Sequence, residues 1–210
     1  VQKHNAAQSS FLRQGITFTV YGAKGGTERT MPFDFIPIII PNENWKEIER
    51  GIKQRVKALN LFLQDVYNER KIIKDGLIPA HLVDDNPYYY RQVIGANVAI
   101  GNHIFLAGID LIRDEFGTYR VLEDNLRNPS GLSYVFQNRY VMRKTYPEFF
   151  SAYALESLEH VMRDMQQALL SHRPQHLVPS EEAHAVLLTA GVYNSAYYDH
   201  VFLAKEMNIP

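Results

Sequence analysis

HIFLAGIDLIRDEFGTYRVLEDNLRNPSG, residues 103–131, places three oxygen-bearing side chains on one face of an expected β-hairpin. The apolar, β-branched run Ile104–Ile112 predicts a strand, Asp114–Thr118 with Gly117 a turn, and Tyr119–Leu126 the returning strand. With the loop centred on Phe116 and Gly117, antiparallel pairing sets Asp110 opposite Glu123. Side chains alternate along a strand, so Asn125 shares their face, while Ile109, Leu111, Leu122 and Leu126 turn toward a core. Like charges facing each other across a ladder are destabilising, which argues for a cation between them. Mg2+ suits the set: it takes hard oxygen ligands, one or two of them protein carboxylates, and completes its shell with water and phosphate oxygens. The same register opposes Arg113 and Arg120, a contact that a widened loop would relieve. A surface hairpin with solvated acids is the alternative these residues allow.

Gly-Ile-Asp, an acidic turn with Gly, Leu-Glu-Asp-Asn and Pro-Ser-Gly, in that order, resemble the metal-binding hairpin of the ATP-grasp superfamily, which includes D-alanine–D-alanine ligases and glutathione synthetases. The resemblance implies that Asp110, Glu123 and Asn125 hold the magnesium ions bridging the phosphates of ATP, with Pro129 and Gly131 in the loop that follows. A closer resemblance covers nearly the whole chain. GITFTVYG, MPFDFIPIIIP, the Gln54-Arg55 and Ala58-Leu59-Asn60 helix, DGLIP, VLEDNLRNPSGLSYVFQNR and VLLTAGVYNSAYY are together similar to the circularly permuted ATP-grasp family. There, permutation puts the metal-binding half first, and the half that clamps adenine and supplies a phosphate-binding lysine comes later. Two positions depart from the pattern: Ile38 stands where the family has arginine, and Ala190 where it has proline between Thr189 and Gly191. The first removes a possible phosphate or carboxylate contact. Asp34 is a polar candidate in the same segment, with capping of the local backbone as its other reading.

The 210 residues carry a net charge of −1, 46% hydrophobic content and no cysteine. This suffices for one substantial core and the start of a second, leaves no nucleic-acid footprint, and excludes disulfides, thiolate zinc sites and cysteine nucleophiles. No stretch reaches membrane-spanning length without charge, and no apolar signal region opens the chain, so the expected compartment is the cytoplasm. The chain opens on Val1 rather than Met, so its true start is expected to lie upstream.

Along the chain, the first ten residues read as polar and loose, GITFTVYG as a strand, Ala23–Thr27 as a turn and Met31–Ile40 as a second strand. Lys24-Gly25-Gly26 lacks full phosphate-loop spacing, which favours a plain turn. From Asn44 a helix is signalled: Asn44 with Glu47 makes a capping box, and Trp45, Ile48, Ile52, Val56, Leu59, Leu63 and Val66 recur at helical spacing. Gln54 and Arg55 read as solvent-facing, with a substrate or phosphate role as what the family resemblance implies. Asp75-Gly76 marks a turn, and Tyr88-Tyr89-Tyr90 reads as edge packing or as a stacking platform for a ligand. Leu132–Arg143 brings Ser133, Asn138, Arg139 and Arg143 behind the hairpin. Arg127 and Arg139 are the preferred phosphate-neutralising side chains, with structural ion pairing as the other reading. Glu148–Ser171 predicts one long helix. His81, His160, His172, His176, His184 and His200 are scattered without metal-ligand spacing. After a linker at Pro174–Ser180, Ala185–Thr189 predicts a strand, Gly191–Tyr197 a loop and Tyr198–Met207 a helix, the opening of a parallel strand-loop-helix unit.

The expected fold is therefore α+β: an ATP-grasp-like antiparallel sheet with packed helices over residues 1–175, then the start of a truncated Rossmann-like unit over 176–210. The resemblance implies an ATP-dependent carboxylate–amine ligase that forms an amide or peptide bond through an acylphosphate, using ATP and Mg2+, with small-molecule or peptide substrates. A kinase built on the same grasp, and a nucleotide-sensing or scaffold protein without turnover, are the alternatives.

Overall fold

In the computed structural model, residues 2–22, 25–32, 34, 36–96, 101–173 and 183–210 are described, with 2, 18–22 and 25–28 described as backbone alone. In chain order the elements are helix α1 (Gln2–Arg13), strands β1 (Thr17–Gly22) and β2 (Gly25–Thr30), helices α2 (Asn42–Val66), α3 (Lys71–Lys74) and α4 (Ala80–Asp84), strands β3 (Gly108–Arg113) and β4 (Tyr119–Asn125), and helices α5 (Leu132–Thr145), α6 (Pro147–Ala152), α7 (Val161–Ser171) and α8 (Tyr197–Glu206). The mixture of helices with two small antiparallel sheets is the expected α+β class. Two compact units result, one from Val1–Ile38 with Ser130–Pro210, the other from Ile39–Pro129.

The first unit corrects the expectation of a loose start, because residues 2–13 form a helix. Ala7 and Phe11 lie one helical turn apart, and both are buried with Ile16 and Val141 in one apolar cluster. Two buried residues in twelve give little periodic signal, but their burial against α5 supplies what the peptide lacks by itself. β1 and β2 pair from Thr17↔Thr30 to Gly22↔Gly25, so the second strand starts at Gly25 rather than Met31. Pro32 and Pro37 have no amide hydrogen with which to continue a ladder. Lys24 and the tip of the expected turn lie outside the described residues.

The helix expected over 148–171 is two helices. Tyr153 is extended (φ −122°, ψ 135°), and the Ser157 hydroxyl accepts the Glu159 amide at 3.2 Å. A local side-chain bond of this kind competes with helical pairing. A second cluster joins Met162 of α7 to Leu203 and Met207 around α8, with Leu132 and Phe136 of α5 packed against it. The strand expected at 185–189 is not formed: Leu187 donates to the Pro210 carbonyl at 2.9 Å, and no strand is assigned among the described residues after Asn125. A Rossmann-like unit is accordingly not seen. The expected domain boundary at 175/176 falls outside the described residues.

In the second unit, α2 begins at Asn42 after Pro41, without the capping box expected at Asn44 and Glu47. Ile48 and Val66 are buried along its apolar face, whereas Trp45 is half exposed. Asp65 closes its end by accepting the amides of Lys71 and Ile72 at 2.8 and 2.9 Å, which caps α3. Among the described residues no helix is long and apolar enough to cross a membrane.

Candidate functional site

β3 and β4 form the expected hairpin, and their register pairs Asp110 directly with Glu123 and Gly108 with Asn125. Directly opposed residues share a face, and so do residues two apart, so Asp110, Glu123 and Asn125 lie on one face of this hairpin. The expected start at Ile104 is too early. The His103 and Ile104 amides donate to Asn60 Oδ1 at 2.7 and 3.4 Å instead of entering a ladder. A β-bulge follows Asp110, so that Leu111 faces Val121 and Leu122 is the additional residue. This corrects two details. Leu122 is exposed rather than turned to a core, and Arg113 faces Tyr119, not Arg120. Arg120 instead donates to Asp114 at 3.0 Å in the turn, and together with the Thr118 and Phe116 amides it holds the Asp114 carboxyl below the ordinary carboxylate range.

The carboxylates of the two strands divide by face. Asp124 alternates away from Glu123 and takes both arms of the Arg55 guanidinium, Nε to Oδ1 at 2.7 Å and Nη2 to Oδ2 at 2.6 Å. That bond lowers the Asp124 carboxyl and raises the Arg55 guanidinium from their usual values. Asp110 and Glu123 are exposed, and among the described residues neither side chain has a hydrogen bond or an ion pair. Two unneutralised carboxylates opposite one another, beside an amide oxygen, are a donor set for a hard divalent cation. No group of three or more His, Cys, Asp or Glu suited to a metal is found among the described residues, and the third oxygen-bearing side chain on this face is the Asn125 amide.

Gly108 has a steric reason. A Cβ there would come within 3.0 Å of Pro129 Cβ and 3.5 Å of Asn125 Cβ, because the loop after β4 crosses this strand position. Arg127, two residues beyond Asn125, is exposed and lays its guanidinium over the Tyr88 ring, 4.8 Å from the centroid. Tyr88 is thus a platform for an arginine, while Tyr89 stacks on Tyr67 and donates to the Val66 carbonyl at 3.0 Å. Asp34 accepts the Ile36 amide at 3.0 Å, the local backbone role expected as one of its readings.

Arg139 belongs to the other unit, on α5, where Nη1 donates to the Glu156 carbonyl at 2.9 Å. No carboxylate pairs with Arg127 or Arg139 among the described residues. Arg143 lies over Phe150 at 5.3 Å, a packing role. Ser133 is fully buried, and its amide and that of Gly131 donate to Asp199 of α8, to Oδ1 at 2.8 Å and Oδ2 at 2.9 Å. Asp199 therefore caps α5 from across the unit, where Gly131 adopts φ +101° and supplies no side chain. Burial, reinforced by Tyr134 and Asp199, pushes the Tyr198 hydroxyl up to about 12. His200 Nδ1 lies 2.9 Å from the Thr189 hydroxyl, which accepts the Gly191 amide at 3.2 Å.

Sequence reasoning did not find Asn60 or the Arg55–Asp124 pair behind the hairpin, nor Asp199 as the cap of α5 in the other unit. Alternation did hold a signal for the Arg55–Asp124 pair, since Asp124 lies between two expected ligands and must leave by the opposite face. Asp199 had none, because its partners are backbone amides 66 and 68 residues away.

Residues 37–210 match a family model described as circularly permuted ATP-grasp type 2. An uncharacterized protein of Synechocystis sp. is 41% identical over 208 residues, which cover 99% of this chain and 43% of the relative. One of Mycobacterium tuberculosis (strain H37Rv) is 42% identical over 209 residues, covering 98% of this chain and 36% of the relative. A Frankia alni protein named "Putative glutamate--cysteine ligase 2-3" is 38% identical over 209 residues, covering 100% and 24%. The chain thus spans less than half the length of each of these curated relatives.

Proposed function

Because the chain belongs to the circularly permuted ATP-grasp type 2 family, we propose that it carries the metal-binding half of an ATP-dependent carboxylate–amine ligase. The observation that carries this reading is the direct pairing of Asp110 with Glu123, exposed and unneutralised, on the face that also bears Asn125. The donor set fits Mg2+, which takes few protein carboxylates and leaves positions for phosphate oxygens. Asp110, Glu123 and Asn125 would hold the ion, and its chemistry when bound is to neutralise charge on the phosphates of ATP.

The chain's own residues supply the rest of what this half contributes. Arg127, laid over Tyr88, and Arg139, which donates to the Glu156 carbonyl, have no carboxylate partner among the described residues, and on this reading each takes a phosphate-neutralising role. In the whole protein a substrate carboxylate would take the γ-phosphoryl group from ATP, releasing ADP. An amine would then displace phosphate from the acylphosphate to form the amide. No covalent protein nucleophile is needed. The name of the Frankia relative supports this carboxylate–amine class, with small-molecule or peptide substrates. On the family resemblance alone we propose residues 1–175 as the metal-binding half and 176–210 as the opening of a Rossmann-like unit, the strand expected there at 185–189 not being formed.

Product analysis on the full-length protein tests the reading. A ligase releases ADP and phosphate together only when both carboxylate and amine are supplied. Phosphate retained on an acceptor without amine would mean a kinase, and no nucleotide turnover with any carboxylate–amine pair would mean a scaffold.

A further inference from the structure

We infer that Arg55 is a positioning residue for the metal site, acting through Asp124 and not on a substrate; this rests on Asp110, Glu123 and Asn125 being the ligands. Asp124 is the residue between two of the three ligands, and its Cα partner across the ladder is Ile109, which precedes the third. Fixing Asp124 from behind therefore fixes the backbone that aims all three side chains forward. The grip is two parallel bonds of 2.7 and 2.6 Å from a planar fork, which resists rotation of the carboxylate where a single bond would not. It spans 69 residues of sequence and ties β4 to the middle of α2.

The place of the pair gives it a task. The ladder is interrupted between Asp110 and Leu111, beside the Asp110–Glu123 pair, and a bulged strand leaves a residue unpaired and bends. The backbone is least constrained by its own ladder where the ligand geometry must be held, and the Arg55–Asp124 bonds act at the next residue. The same helix holds the approach to β3, since Asn60 accepts the His103 amide at 2.7 Å and donates to the Gly101 carbonyl at 3.1 Å. Both strands of the hairpin are thus referenced to one helix. Arg55 is on the side away from the ligands. With Ile48, Leu111 and Val121 it borders a cavity of about 490 Å³ between α2 and the hairpin, and Leu111 and Val121 point opposite to Asp110 by alternation. Arg55 thus meets the hairpin on the face opposite Asp110, Glu123 and Asn125.

The test is Mn2+ affinity, read by paramagnetic relaxation of water protons on the full-length protein, well below each variant's thermal midpoint. Glu123→Gln serves as the ligand control. Arg55→Met and Asp124→Asn should each weaken Mn2+ binding about 10- to 100-fold, the range for partners that orient metal ligands. The double variant should be no weaker than the worse single one, because both act through one contact. Arg55→Lys, which keeps charge but not the fork, should fall in between, and it gives the same comparison if Arg55→Met does not fold. A lower thermal midpoint with Mn2+ affinity within about twofold of the parent would reduce the pair to a structural ion pair and overturn the inference. Weakening by Arg55→Met without weakening by Asp124→Asn would show Arg55 acting directly, and overturn it too. If Glu123→Gln itself left Mn2+ binding unchanged, the metal reading would fail and this inference with it.

Discussion

Replacing Asp199 by alanine should destabilise the unit formed by Val1–Ile38 and Ser130–Pro210 more than any surface change, although Asp199 touches no candidate ligand. Asp199 is 2% exposed, and its two oxygens accept the Gly131 and Ser133 amides at 2.9 and 2.8 Å. These are orphan donors at the start of α5, where no local side chain caps the helix. Leaving a buried donor unpaired costs about 1–3 kcal/mol, and loss of a helix cap costs about 0.5–2 kcal/mol. Relief of the carboxylate's own desolvation offsets part of the sum, so a net loss of about 3 kcal/mol is expected. For a chain of this size each kcal/mol lowers the thermal midpoint by about 2–4 °C, which gives a fall of about 6–12 °C. Asp199→Asn keeps one acceptor oxygen and should lose about half as much. Thermal unfolding followed by circular dichroism reads the shift, and hydrogen exchange at the Gly131 and Ser133 amides should accelerate in Asp199→Ala. A shift under about 2 °C with unchanged exchange would refute the cap.

Tyr198 gives an alkaline signature: its hydroxyl is pushed from 10.0 to about 12, so its contribution is complete below the unfolded value and is lost as pH rises through that window. Urea midpoints across the window should fall for the parent and fall less steeply for Tyr198→Phe; equal slopes would contradict the shift. Gly108→Ala should drive a methyl against Pro129 Cβ, 3.0 Å from where its Cβ would stand, at a cost of about 1–3 kcal/mol. An unchanged thermal midpoint would show that the Pro129 loop yields freely.

What was legible in the sequence was local. The hairpin could be read because alternation, turn residues and opposed acids all act within a few residues; the expected Asp110–Glu123 pairing is observed, but the turn-side register Arg113↔Tyr119 leads to it only through the bulge at Leu122. The bulge could not be read. It adds one residue without changing the composition of β4, and it decides which way Leu122 points and which residue faces Arg113. α1 was missed for a tertiary reason, since Phe11 is buried in a cluster that includes Val141, 130 positions later. The break after Ala152 was hidden because helical spacing continues through 153–160 while Tyr153 turns extended and the Ser157 hydroxyl accepts the Glu159 amide. At the hairpin, the face shared by Asp110, Glu123 and Asn125 was legible from parity. The elements that hold it still, Arg55 and Asn60 on α2, were visible as residues but not as contacts.

Glu123→Gln in the full-length protein, with ADP release and thermal midpoint measured together, tests the central claim most directly. The substitution removes one charge from the cation's donor set and leaves an exposed strand position sterically unchanged. Stability should change by no more than about 0.5 kcal/mol. Loss of one metal-bound carboxylate should remove about 2 kcal/mol or more of transition-state stabilisation, at least about thirtyfold in rate. The account predicts lost ADP release from a protein whose midpoint is unchanged within about 2 °C. Near-normal ADP release from the well-folded variant would contradict the assignment of this hairpin as the metal site.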